Sequence, residues 1–116
     1  NVDIVVNANE LSSKFKNKFD IVFCVDMIEH DDAFWITLKE IKKVLKRGGY
    51  LILGAPSRAH PQHRHPQDYW RFMEDAFRLV LLKGFKNIYV ETRKYEHSQF
   101  LNQDIENEIY GWGQKI

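Results

Sequence analysis

The stretch from Phe19 to Leu53, FDIVFCVDMIEHDDAFWITLKEIKKVLKRGGYLIL, decides the fold of this 116-residue chain. It begins with the nearly continuous apolar run Phe19–Val25, which is typical of a strand covered on both faces, so we predict a central strand of a parallel sheet. A helix follows and ends at Gly48-Gly49. Its apolar residues recur at helical spacing: Phe34, Leu38, Ile41, Val44 and Leu45. Tyr50–Leu53 predicts a second strand, so the whole stretch predicts a β-α-β unit in an open α/β sheet.

Weaker patterns flank this unit on both sides. Val2–Val6 is a short β-branched run that predicts a strand followed by a turn. Downstream, a polar loop precedes a helical pattern at Glu74–Lys83, and Lys86–Glu91 alternates polar and apolar residues as an edge strand does. Beyond these elements, residues 92–116 form an uncertain tail, for which we expect helix or coil.

Composition limits the classes of protein to consider. A length of 116 residues with 44% apolar content suits one domain in water, and a net charge of +1 creates no field that attracts nucleic acid or anionic lipid. The single Cys24 cannot form a disulfide within the chain, and no run is long enough for a membrane span. We expect a cytoplasmic protein with neither nucleic acid nor membrane as its partner. Since the chain lacks an initiator Met, we also expect it to be a fragment of a longer sequence.

Three loops follow the predicted strands and are the first places to look for a site. They are Asn7–Glu10, Asp26–His30 and Pro56–Arg71. In open α/β sheets, ligands bind beyond the carboxyl ends of the strands. The polar residues of these loops are therefore the candidate site residues.

Several short motifs occur in a fixed order. F-D-x-V begins at Phe19, E-H is Glu29-His30, L-K-E begins at Leu38, and V-L-K-x-G-G begins at Val44. In this order they resemble the fourth strand, the following helix and the fifth strand of the class I S-adenosylmethionine-dependent methyltransferases, type 11-like. A second match, D-Y-W-R-F from Asp68, extends the resemblance over more than half of the chain.

The resemblance implies a Rossmann-like open, mostly parallel sheet with flanking helices, and S-adenosyl-L-methionine as cofactor. The family's first two strands and its glycine-rich cofactor loop are not found in these residues. We therefore expect residues 1–116 to be a partial methyltransferase domain, with residues 1–91 as its α/β part and 92–116 as the tail. Because the family's first strand pairs with its fourth, we expect poor cofactor binding by these residues alone. A homo-oligomer or a partner chain would complete the sheet.

Five residues are carried over as cofactor-binding. Asn7 and Ala8 match the turn after the family's third strand, where an acidic side chain faces the adenine amino group. Asn7 replaces that acid, and its amide oxygen can accept the same hydrogen bond. Val25, Asp26 and Met27 match the strand end whose backbone lies against the methionine part of the cofactor.

His30 and Glu29 are the candidate catalytic residues. An imidazole can accept a hydroxyl or amine proton near neutral pH, so His30 is a candidate general base. Glu29 would orient His30 or the acceptor. The structural alternative is that both residues only serve the start of the helix, where a carboxylate is stabilising in any case.

The loop before the second match predicts the acceptor side of the pocket. Its candidate substrate-binding residues are His65, Asp68, Tyr69, Trp70 and Arg71. The aromatic residues would form walls, and the arginine would contact an anion or a hydroxyl group. The alternative for Trp70 is a core position that anchors the next helix.

The same loop leaves a metal-dependent alternative open. His63-x-His65-x-x-Asp68 approaches the His-x-His-x-Asp-His motif of metallo-β-lactamase-like hydrolases. The spacing is one residue off and the final histidine is missing, so we predict no metal ligands. A zinc-dependent hydrolase remains the alternative to be tested by metal content.

The function expected from the resemblance is methyl transfer to a small-molecule or glycan acceptor at oxygen or nitrogen. The loop Asp26-Met27-Ile28-Glu29 lacks the Asp/Asn-Pro-Pro-aromatic motif of nucleic-acid amine methyltransferases. The second hypothesis is a methyltransferase-like interaction module without catalytic activity.

Overall fold

A mixed sheet organises residues 1–94 and 106–116, the part of the chain that the computed structural model describes. Its four strands are β1 (Phe19–Val25), β2 (Leu45–Pro56), β3 (Phe85–Arg93) and β4 (Glu108–Lys115). They lie in the order β1-β2-β4-β3. Helix α1 (Phe34–Val44) connects the first two strands. Strands joined through helices confirm the predicted open α/β class.

The predicted β-α-β unit is confirmed. β1 pairs in parallel with β2, in a register that runs from Ile21 opposite Tyr50 to Val25 opposite Gly54. The helix ends earlier than predicted, because Leu45 already has extended backbone angles and pairs with Phe19. Residues 46–49 then interrupt the register, and Gly48 takes a φ of +79° that favours glycine.

Two strand predictions at the start of the chain are wrong for the described residues. β1 was expected at the centre of the sheet, yet it pairs only with β2 and forms an edge, with Phe23 69% exposed. Val2–Val6 forms no strand, and Val5 is 89% exposed. The shared cause is that no described segment offers backbone partners on that side of β1, and an isolated extended run gains no ladder hydrogen bonds.

The helix predicted at Glu74–Lys83 is shorter. One α-helical turn, Glu74–Ala76, continues as a π-helical turn, Phe77–Leu81, in which the Leu82 N–H donates to the Phe77 carbonyl at 2.9 Å. Phe77 and Leu81 are buried in the hydrophobic core cluster. This segment therefore anchors the connection between β2 and β3.

The tail differs most from its prediction. β3 is an edge strand as predicted, but β4 lies in the tail and inserts between β2 and β3, antiparallel to both. Helix or coil was therefore wrong for residues 108–115, because this strand completes the ladders of both neighbours. Residues 95–105 of the tail lie outside the described residues.

The core lies between the sheet and α1. Its fully buried residues include Leu51 and Leu53 of β2, Ile109 of β4 and Phe77. Ile41 of α1 packs into the same cluster. Among residues 1–94 and 106–116, no helix has the length and apolar character needed to cross a bilayer.

Candidate active site

The carboxyl end of β1 leads into a tight turn that places the candidate catalytic residues. Asp26 takes a φ of +51°, and its N–H donates to the Gly54 carbonyl of β2 at 2.9 Å. The short 3₁₀ turn Ile28–His30 follows. Asp31 then accepts the Ala33 N–H at 2.9 Å and fixes the start of α1. The turn therefore lies where ligands bind in sheets of this class.

Glu29 is fully buried, with 0% of its surface exposed. Neither of its carboxylate oxygens has a hydrogen-bond partner among the described residues. Its Oε1 lies 3.5 Å from Nε2 of His30 and 3.7 Å from Nε2 of His63. Burial raises the pKa of Glu29, because the charged form loses its hydration.

His30 is held by the loop that follows β2. Its Nδ1 lies 2.5 Å from the carbonyl oxygen of Gln67. Because a carbonyl oxygen can only accept, the neutral ring carries its proton on Nδ1 and keeps a lone pair on Nε2. That Nε2 lies 3.1 Å from Nε2 of His63. The geometry leaves His30 able to accept a proton.

Asp68 and Arg71 hold the loop in shape. Asp68 accepts the backbone N–H of His63 at 2.8 Å and binds both terminal nitrogens of Arg71 at 2.6 Å. These contacts, the Arg71 guanidinium above all, keep the pKa of Asp68 well below its ordinary value. Arg71 also donates to the carbonyls of His60, Pro61 and Trp70. All five of its N–H donors are thereby used within the loop.

A second contact between a histidine and a carboxylate joins the loop to the tail. His60 Nε2 lies 3.2 Å from Oε1 of Glu108, at the start of β4. Burial, with repulsion from Asp26 and Glu29, raises the pKa of Glu108 to about 7. Burial also lowers the pKa of His60. Glu108 is not among the residues predicted from the sequence, because nothing around it indicates a strand that begins beside this loop.

The candidate cofactor-binding residues lie on two elements. The Asn7 Oδ1 accepts the Asn9 N–H at 3.0 Å and caps the 3₁₀ segment Ala8–Ser13, of which Ala8 is the first residue. That segment packs on α1 through a 2.7 Å bond from Asn9 to Thr37. Val25, Asp26 and Met27, in contrast, lie at the end of β1, where the first two are exposed.

Four of the five candidate substrate-binding residues line one shallow depression of about 270 Å³. They are Asp68, Tyr69, Trp70 and Arg71. Trp70 also donates to the Asp31 carbonyl at 2.8 Å and packs edge-on against Phe34, so it anchors the loop to α1 as well. His65 is exposed and does not line this depression.

His63 is the residue that sequence reasoning placed least well. It appeared only in the hydrolase motif with His65, whereas the structure groups it with Glu29 and His30, across more than thirty positions of sequence. The signal for it was the density of histidines between residues 60 and 65. Its partners became evident only from the folded loop.

The chain is similar to known methyltransferases in sequence and in fold. Residues 2–53 match the methyltransferase domain family. A S-adenosylmethionine-dependent methyltransferase of Archaeoglobus fulgidus superposes with a TM-score of 0.75 at 14% identity, over 97% of this chain and 66% of that one.

The names of two further similar proteins of known structure include a methyl acceptor. Phosphoethanolamine N-methyltransferase 2 of Haemonchus contortus, in complex with phosphomonomethylethanolamine and S-adenosylhomocysteine, gives a TM-score of 0.69 at 20% identity, over 96% of this chain and 36% of that one. A possible histamine N-methyltransferase of Thermotoga maritima gives 0.67 at 21% identity, over 88% and 58%. The chain thus spans between about a third and two thirds of the length of these three proteins. Among curated protein sequences, none matches it.

Proposed function

The chain has the fold of the class I S-adenosylmethionine-dependent methyltransferases, and we propose that it takes part in methyl transfer to a small-molecule or glycan acceptor at oxygen or nitrogen. The observation that carries the proposal is the turn Asp26–His30. It lies at the carboxyl end of a parallel strand, inside the segment that matches the family. It ends in a buried carboxylate and an imidazole whose Nδ1 faces a carbonyl oxygen, so that its lone pair is on Nε2.

The residues present fit one side of a cofactor site. Val25 and Asp26 expose the end of β1, so their backbone and that of Met27 would hold the methionine part. Asn7 and Ala8 would face the adenine, and the Asn7 amide oxygen has a second lone pair besides the one that accepts the Asn9 N–H. A glycine-rich loop is not among the 116 residues. When bound, S-adenosylmethionine supplies an electrophilic methyl group.

His30 is the proposed general base. Its Nδ1–H is fixed on the Gln67 carbonyl, so Nε2 is the atom that takes the proton from the acceptor. The Glu29 carboxylate, 3.5 Å away, would stabilise the imidazolium that forms. Glu29 therefore orients and supports His30 without taking the proton itself.

The depression lined by Asp68, Tyr69, Trp70 and Arg71 is the proposed acceptor site. Tyr69 is exposed there and its N–H donates to the Glu29 carbonyl at 2.8 Å, which joins the aromatic wall to the catalytic turn. Arg71 has no donor left for an anionic group, so in our proposal it shapes the loop and the acceptor binds through Tyr69 and Trp70. The two solved proteins whose names include an amine acceptor support a small, nitrogen-bearing molecule.

A second candidate, an interaction module, is favoured by the bare edge of β1. β1 is the outermost strand of the described sheet, and Ile21, Phe23 and Val25, which share one of its faces, are exposed. Apolar edge strands pair with further strands. We propose that another segment, in a second copy or a partner chain, completes the sheet here, which is compatible with either function.

Binding of S-adenosylhomocysteine tests the main proposal. The protein expressed from its complete reading frame should give a saturable calorimetric signal, and Asp26→Arg should weaken it at least tenfold by crowding the end of β1. Lys39→Ala, on the exposed part of α1, is the matched control. Absence of any heat, together with absence of methyl transfer to a panel of amines and hydroxyl compounds, would contradict the proposal.

A further inference from the structure

Two imidazoles and a buried carboxylate converge on one point beside the Asp26–His30 turn. Nε2 of His30 lies 3.1 Å from Nε2 of His63. Oε1 of Glu29 lies 3.5 Å from the first and 3.7 Å from the second. These are the described residues whose ligating atoms could share a single ion.

One of the two rings has a lone pair fixed toward this point. Nδ1 of His30 faces the Gln67 carbonyl, which can only accept, so Nε2 of His30 carries its lone pair toward His63. Nδ1 of His63 has no hydrogen-bond partner among the described residues, and Oδ2 of Asp68 lies 3.5 Å from it. With its proton on Nε2, His63 donates to His30 at 3.1 Å and leaves its buried Nδ1 unpaired. With the proton on Nδ1 instead, both Nε2 lone pairs are open to one cation.

Glu29 adds a second reason for a cation. Its carboxylate is fully buried, and within the described part of the chain neither oxygen has a hydrogen-bond partner. A buried carboxylate without hydrogen bonds is unfavourable unless it is paired or bound to a metal. The imidazole nitrogens of His30 and His63 lie 3.5 and 3.7 Å from its Oε1, and neither forms a hydrogen bond with it.

From this geometry we propose that Glu29, His30 and His63 form a binding site for a divalent transition metal of the zinc class. Ligand atoms held about 2.0–2.1 Å from a tetrahedral zinc are about 3.3 Å apart, which matches the three separations, and a point about 2 Å from all three atoms exists. Two imidazoles favour zinc over magnesium or calcium, which prefer oxygen ligands.

The surroundings have the features of a metal site. Ligating histidines usually donate their other ring N–H to a carbonyl or a carboxylate. The Gln67 carbonyl accepts from His30, and the Asp68 carboxylate lies 3.5 Å from Nδ1 of His63. The His63 side chain is one third exposed, which gives the ion a path to the site. Three protein ligands leave a fourth position open.

The metal and the base use the same lone pair. Zinc bound to Nε2 of His30 would prevent that atom from accepting a proton, so the metal-bound state and the base-active state exclude each other. The metal site is inferred from the cluster alone and does not depend on methyl transfer. The two proposals can therefore fail separately.

Zinc titration of the chelator-treated protein, followed by calorimetry, tests the site without any cofactor present. We expect one zinc per chain, with affinity lowered at least tenfold in Glu29→Gln and in His63→Ala. His65→Ala removes an exposed histidine of the same loop and should leave the affinity within about twofold. No saturable binding would mean that only a proton occupies the cluster and would overturn the proposal, as would an equal loss in His65→Ala.

Cobalt binding to the unmodified protein keeps the proposal testable if the variants fold poorly. Cobalt(II) in a four- or five-coordinate site with two nitrogen ligands absorbs visible light far more strongly than the octahedral aquo ion. We expect such a spectrum at one equivalent, abolished by one equivalent of zinc. A spectrum of the aquo ion alone would overturn the proposal.

Discussion

Arg71 binds Asp68 through both terminal guanidinium nitrogens at 2.6 Å, and the Asp68 side chain is only 1% exposed. This pair fixes the loop that contacts the Asp26–His30 turn, because Asp68 in turn accepts the His63 N–H and Arg71 donates to three loop carbonyls. The loop therefore depends on one side chain for much of its hydrogen bonding.

Arg71→Ala should lower the free energy of unfolding by about 1–3 kcal/mol, because it leaves the buried Asp68 carboxylate without its partner. Urea unfolding followed by circular dichroism measures this. Arg64→Ala removes an exposed arginine of the same loop and should change stability by less than about 0.5 kcal/mol. Equal effects of the two substitutions would show that the ion pair does not hold the loop.

Glu108 should make stability depend on pH. Its pKa is raised from 4.5 to about 7, first by burial and then by the charges of Asp26 and Glu29, while Arg71 opposes the shift. The folded state therefore holds the proton more tightly than the unfolded state. The free energy of unfolding should fall as pH rises from about 4.5 to about 7, and should level off above that.

Glu108→Gln, which resembles the protonated acid, tests this dependence. His60 lies 3.2 Å from Glu108 and has a lowered pKa. Between its folded and unfolded pKa values, His60 makes the free energy of unfolding rise with pH, against the effect of Glu108. Both proteins in the comparison therefore keep His60. We expect the variant to be about 1–3 kcal/mol more stable than the unmodified protein at pH 8 and of equal stability at pH 4.5. If the difference in stability between the two proteins is the same at pH 8 and at pH 4.5, the burial of Glu108 does not cause the pH dependence.

Phe23→Lys tests whether another segment pairs with β1. Phe23 is 69% exposed, so a lysine there should change the stability of the isolated chain by less than about 0.5 kcal/mol. If copies associate through this edge, the charge should shift the protein from dimer to monomer in analytical ultracentrifugation. Lys39→Glu on α1 is the control for charge alone. An unmodified protein that stays monomeric at every concentration would exclude pairing between copies.

The local part of the fold was predictable and the non-local part was not. The run Phe19–Val25 and the helical spacing that follows are patterns within short windows, so β1, α1 and β2 were predicted. The strand at Glu108–Lys115 escaped because two glycines interrupt its alternation. A Cβ on Gly111 would lie 2.9 Å from the Tyr89 carbonyl oxygen, and one on Gly113 would lie 2.7 Å from Cβ of Phe85. The need for glycine there is visible only from the folded neighbours.

The same distinction holds for the site. His30 and Glu29 were predicted because they follow a recognisable strand, and the structure places them together at its end. His63 and Gln67 were missed because their roles arise when the loop folds back on His30. A polar loop without a period gives no indication of which carbonyl it will present to a ring nitrogen.

His30→Ala should lower methyl transfer far more than cofactor binding. General base catalysis contributes about 10²–10⁴-fold, so kcat should fall within that range while the Kd for S-adenosylhomocysteine changes less than about threefold. Cofactor binding is expected to be spared because the proposed contacts to it come from Val25–Met27, before the 3₁₀ turn that carries His30.

Arg64→Ala is the matched control, since it keeps the loop and removes only an exposed charge. Parallel losses of kcat and affinity in His30→Ala would assign the residue to holding the Gln67 carbonyl and the loop. If the chelator-treated His30→Ala variant turns over as fast as the chelator-treated unmodified protein, His30 is not the general base.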